Sequence, residues 1–137
     1  MRILFKYVDP DNVLHVATLY ELLGERTAEQ AISHKEMPSR VDHLKFVHSQ
    51  PYHVWYLIEE NTHNKFVGSC YLTERNEIGI FIFNEYQGLG FGPEAVNFLM
   101  EIHVGPFLAN INPTNKASIG MFKELGFKQL QVTYVHP

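Results

Sequence analysis

A single cysteine, Cys70, stands among 137 residues, so no internal disulfide can staple this chain, which suits a reducing compartment. No run of some 18 apolar residues occurs, and Met1–Tyr7 contains no long apolar segment of a secretory leader. The expectation is a soluble, cytoplasmic protein without a membrane partner. Positive charge is also scarce. Eleven Lys and Arg against 15 Asp and Glu give a net charge of −4, the wrong sign for coating a polyphosphate, so nucleic acid is not an expected partner. A metal centre is not expected either. Eight histidines are present, but His43, His48 and His53 are five apart, off the i, i+4 spacing that shares a helix face, and no cysteine cluster joins them.

What the chain does have is enough apolar material for one ordinary domain spanning 1–137: 45% hydrophobic and 19% charged residues. Alternation at Ile3 and Phe5 predicts a first strand over residues 2–8. Apolar residues at helical spacing from Val13 to Leu23 predict a helix that stops at or soon after Gly24. Residues 27–38 are polar. Ser39 can cap a second helix carrying Val41, Leu44, Phe46 and Val47, and Pro51 stops it. Two strands, 53–59 and 65–72, flank a turn and form a hairpin.

The stretch 77–95 organises the rest. Ile78, Ile80 and Ile82 alternate with Gly79, Phe81 and Phe83, so both faces are apolar, as in a strand covered on both sides at the centre of a sheet. Gly88, Gly90 and Gly92 follow at alternate positions, and Pro93 suits the first turn of a helix expected to run to about His103. Free amides at such a helix start, with the helix dipole behind them, make a phosphate site. A dinucleotide-binding loop would need a third glycine where Pro93 stands. Further on, the pattern predicts a buried strand over 107–111, a helix capped by Thr114 or Asn115 and closed by Gly126, and a final strand over 127–135.

Gln87-x-x-Gly90-x-Gly92 after an apolar strand resembles the pyrophosphate-binding motif of the GCN5-related N-acetyltransferases, and Asn115…Ser118…Phe122…Gly126-Phe127 resembles that family's second motif. The resemblance implies an α+β domain, a central mixed sheet flanked by about four helices. It also implies an acetyl-CoA-dependent enzyme that moves an acetyl group to a primary amine by direct attack. In such a protein Gln87, Gly88, Leu89, Gly90, Phe91 and Gly92 hold the pyrophosphate. The main chain of Ile80, Phe81 and Ile82 receives pantetheine and the thioester, and Asn115 and Phe122 line the same slot. Residues 27–38 lie near the acceptor. Glu77, at the start of the central strand, is the candidate base. The family's tyrosine, which protonates the departing thiolate, is replaced by Phe122. Tyr134, Tyr71 or water stands in, and Tyr134 is carried forward as the candidate catalytic acid. The rival reading is a non-catalytic acyl-CoA-binding sensor or interaction module. The acceptor is left open among a protein N-terminus, an aminosugar nucleotide, a polyamine or another small amine. The resemblance also leaves no residues for a strand beyond 127–135, so either that strand pairs directly with 107–111 or a sheet edge is left open, and a homodimer is expected.

Overall fold

The computed structural model describes residues 2–26 and 36–137; the acceptor-side stretch expected at 27–38 therefore lies mostly outside the described residues. Four strands, β1 (Ile3–Tyr7), β2 (Val54–Glu60), β3 (Lys65–Leu72) and β4 (Ile78–Ile82), form one antiparallel sheet in the order β1-β2-β3-β4. Four α-helices accompany it among the described residues: α1 (Val13–Gly24), α2 (Arg40–His48), α3 (Phe91–Ile102) and α4 (Lys116–Glu124). The architecture is α+β.

Each face of the sheet has its own core because strand side chains alternate. Leu57 and Phe83 point to one face and meet Leu19 and Leu22 of α1 and Val47 of α2. Tyr56, Ile58 and Cys70 point to the other and meet Ala95, Val96 and Leu99 of α3 and Phe122 of α4. Leu99 is fully buried, a contribution of about 2 kcal/mol for a side chain of that size. The caps follow the sequence. Asn12 Oδ1 accepts from the His15 N–H at 3.1 Å, and Ser39 Oγ accepts from the Asp42 N–H at 3.1 Å. Asn115 Oδ1 accepts from the Ser118 N–H at 3.2 Å.

Four expectations are corrected. β4 is the last strand of the ladder, not its centre; both its faces are nonetheless covered, which is why its sequence is apolar throughout. Residues 107–111 form no strand. They meet β4 only through a parallel bridge between Glu77 and Leu108, in which the Ile78 N–H donates to Leu108 O at 2.7 Å and the Leu108 N–H to Asn76 O at 2.9 Å. Residues 127–135 form no strand either. Phe127 packs edge-on against Phe122, with ring centroids 5.0 Å apart, but Leu130, Val132 and Val135 are exposed. Alternation produces a strand only where an edge is offered to it, and the segment expected to offer one has turned away. Helix α3 also starts at Phe91, two residues before the expected Pro93.

Candidate active site

Past the Glu77–Leu108 bridge, β4 and the chain at 109–112 diverge. The space between them is a cleft of about 630 Å³, floored by Ile80 and Ile82 and bounded opposite by Asn110, Ile111 and Asn112. Hydrogen bonds fix which backbone groups face it. The Ile78 N–H points outward to Leu108, and the Phe83 N–H points inward to Val67 O at 2.9 Å. Antiparallel pairing alternates the two directions, so the N–H and C=O of Ile80 point outward as Ile78 does, into the cleft. Ile82 O faces the same way and accepts from Gln87 Nε2 at 3.1 Å. Phe81 turns its side chain to the α1 face instead.

The glycine loop closes one end. Gly88 and Gly90 have φ of 77° and 86°, the left-handed region that a β-branched residue avoids, and no atom approaches the space beside Gly88. Gly90 is the N-cap of α3 and offers no side-chain cap. The first amides of the helix therefore remain available to an anion. Gly92 lies against α4, where an added Cβ would come within 3.3 Å of Met121 Sδ. Gln87 shapes the loop through its bond to Ile82 and a 3.2 Å bond to Asn84 Oδ1. Phe91 is buried beneath the Arg2 guanidinium, 4.3 Å from its ring centre, while Leu89 is 55% exposed and outside the cleft lining. Asn115 and Phe122 line the opposite wall. These residues fit a diphosphate at the loop and an extended arm along the β4 edge.

Glu77 stands at the vertex where the walls separate. Thr73 Oγ1 donates to its Oε1 at 3.0 Å and Asn110 Nδ2 donates to its Oε2. Each carboxylate oxygen keeps a further lone pair for a ligand. Tyr71 of β3 joins it. The Tyr71 ring covers Gly79, where an added Cβ would clash with the ring carbons, and stacks on Tyr52 at 3.7 Å between centroids and 4° between planes. Burial raises the Tyr71 pKa above 10.0 and keeps the phenol protonated. Tyr134 is not here. It is 91% exposed in the segment after α4 and is not among the residues that line the cleft. Tyr71, the other tyrosine named from the sequence, does line it.

Sequence reasoning missed Arg26, Thr73 and Asn110. Arg26 reads as the frayed end of a helix, and Thr73 and Asn110 as polar residues in turns. No local pattern announces that they meet. Among the described residues no group of three or more His, Cys, Asp or Glu is placed to hold a metal, and no helix is long and apolar enough to cross a membrane.

A model of the acetyltransferase (GNAT) domain matches residues 2–128. No curated protein is significantly similar in sequence. Among solved structures, a point mutant of the spermidine N-acetyltransferase SpeG from Vibrio cholerae superposes with a TM-score of 0.75 at 14% identity, covering 95% of this chain and 81% of that one. An acetyltransferase from Thermus thermophilus gives 0.74 at 16%, covering 96% and 90%. The yncA protein from Salmonella typhimurium, solved with its cofactor acetyl-CoA, gives 0.68 at 20%, covering 93% and 80%. At these identities the likeness is one of fold.

Proposed function

The chain belongs to the GNAT acetyltransferase family, and on that premise we propose that it is an acetyl-CoA-dependent N-acetyltransferase acting on a primary amine by direct attack in a ternary complex. The observation that carries the reading is the divergence of β4 from residues 109–112 after one bridge, with Glu77 at the vertex and the glycine loop at the far end. Bound acetyl-CoA would supply the activated acyl group. Gly88, Gly90 and the first amides of α3 bind its diphosphate, while Gln87 fixes the loop and Gly92 lets it lie close to α4. The outward N–H and C=O of Ile80 hold the arm as an added strand would, and an N–H in that edge is a fixed dipole for the oxyanion. Asn115 and Phe122 complete the wall.

An ammonium group has no lone pair, so attack needs a base. Glu77 takes that proton, directly or through water, held in position by Thr73 and Asn110. Tyr71, protonated and beside Glu77 in the cleft lining, returns a proton to the departing thiolate. The rival, a non-catalytic acyl-CoA-binding module, is favoured by Phe122, which puts an apolar ring where the family's donor stands. The open β4 edge and the exposed apolar residues after α4 support a homodimer, which light scattering at micromolar concentrations measures.

Thiol release from acetyl-CoA with a panel of amines, read with mass detection of the acetylated product, tests the enzymatic reading. Release matched by product is expected. Coenzyme A binding without release for any amine would leave the binding module instead.

A further inference from the structure

Beside the main cleft lies a second cavity of about 590 Å³, walled by Leu22, Met37, Phe46, Trp55, Tyr71 and Phe81. Leu22, Arg26, Tyr71 and Phe81 border both spaces, so they stand between them. Arg26 is the unusual member. Its guanidinium lies 4.2 Å over the Phe81 ring, and its Nε is fully buried with no hydrogen-bond partner. Burial lowers its pKa from the usual arginine value, yet a guanidinium remains cationic at neutral pH.

Among the described residues, the ion pairs belong to other cations: Arg2 to Glu94, Lys6 to Glu59, and three histidines to acidic neighbours. The two carboxylates in the main-cleft lining are already engaged. Glu25 Oε1 accepts from the Asn84 N–H at 2.7 Å, and Glu77 accepts from Thr73 and Asn110. A half-buried cation without a counter-ion is costly unless something else supplies the negative charge. The fork of an arginine is matched in shape by a carboxylate.

Resting on the acetyltransferase reading, we propose that Arg26 binds the carboxylate of the acceptor, and that the acceptor is a small α-amino acid whose apolar side chain fills the second cavity. With the carboxylate on Arg26, which borders both spaces, the adjacent amine is directed toward Glu77 in the main cleft, and the side chain lies among Trp55, Phe46 and Met37. The same guanidinium repels the second ammonium of a polyamine. Asp42 and Glu36 also line this cavity, but both are exposed and lie where solvent weakens their pull on a cation.

The test measures kcat/KM for a panel of apolar α-amino acids, the methyl ester of each, and spermidine, with the parent and with Arg26→Met. Methionine keeps the contact with Phe81 and removes the charge. At least one acid should exceed its ester by about 10- to 100-fold in the parent, the range of a charge-assisted pair. Arg26→Met should bring that ratio to about one through KM, with coenzyme A affinity and melting temperature held. Acids no better than their esters, or spermidine as the best substrate, would overturn the proposal while leaving the enzyme intact. A loss of coenzyme A affinity in Arg26→Met would reassign the residue to the cofactor. No release with any amine would sink the enzymatic reading and this inference with it.

Discussion

Glu77→Gln is the substitution that separates chemistry from structure most cleanly here. The parent carboxylate accepts one hydrogen bond on each oxygen, from Thr73 Oγ1 at 3.0 Å and from Asn110 Nδ2. The new amide keeps one oxygen, which can still accept from Thr73. Thr73 cannot readily reverse its role, because its oxygen already accepts from the N–H groups of Arg75 at 3.2 Å and Glu77 at 3.1 Å. Asn110 can reverse its role, since rotating its amide presents Oδ1 to the new NH₂. Both bonds survive in neutral form, so the stability cost is about 1 kcal/mol, the difference between a charged and a neutral acceptor. What is lost is the basic lone pair. The rate should fall by about 10²-fold or more, equivalent to about 2.7 kcal/mol of barrier. Initial rates of thiol release across pH 6.5–9.5 would measure it, and the deficit should shrink toward high pH, where more acceptor amine is already neutral. Calorimetry should return an unchanged affinity for coenzyme A. Full activity at neutral pH, or a deficit that follows lost affinity for coenzyme A, would refute the assignment.

The other predictions rest on separate parts of the molecule. Gly90→Val puts a β-branched residue at φ 86° and a side chain beside the helix amides, so the protein should stay folded in circular dichroism and lose coenzyme A binding in calorimetry. Tyr71→Phe should slow transfer by about 10-fold or more and Tyr134→Phe should not, because the first hydroxyl lines the cleft and the second is in solvent; the reverse pattern would return the acid to the segment after α4. Acid should destabilise the fold through its histidines. Burial lowers the pKa values of His15, His43 and His103 below 6.5, and the His15 ring accepts the Asp9 N–H through Nδ1 at 3.0 Å, which needs that nitrogen unprotonated. Below pH 6.5 the unfolded chain then binds more protons than the folded one, so stability present above that pH is lost as pH falls through the lowered values. A melting temperature unchanged between pH 7.5 and pH 5 would contradict this.

The elements legible in the sequence are those whose cause is local. Asn12, Ser39 and Asn115 cap helices through the N–H three residues on. The alternation in β2 and β3 is read by a partner a short turn off, and the glycines at 88 and 90 take the backbone angles their position demanded. The family motifs lie in such local features, and so the residues proposed to hold the cofactor could be picked out before any fold was known. The failures have one physical source. Whether 107–111 and 127–135 become strands depends on a neighbouring edge, and apolar alternation says nothing about which edge is free. The divergence that keeps 109–112 out of the sheet is also what opens the cleft. Glu77 could be named from its place before the apolar strand, but not the Thr73 and Asn110 donors that hold it. Arg26, at the fraying end of α1, becomes notable only once folding buries its Nε over Phe81 without a partner. The chain's own order determines where glycines and free helix amides stand together; which charges line the cleft is decided by residues far apart in sequence, because burial and pairing are properties of the packed molecule.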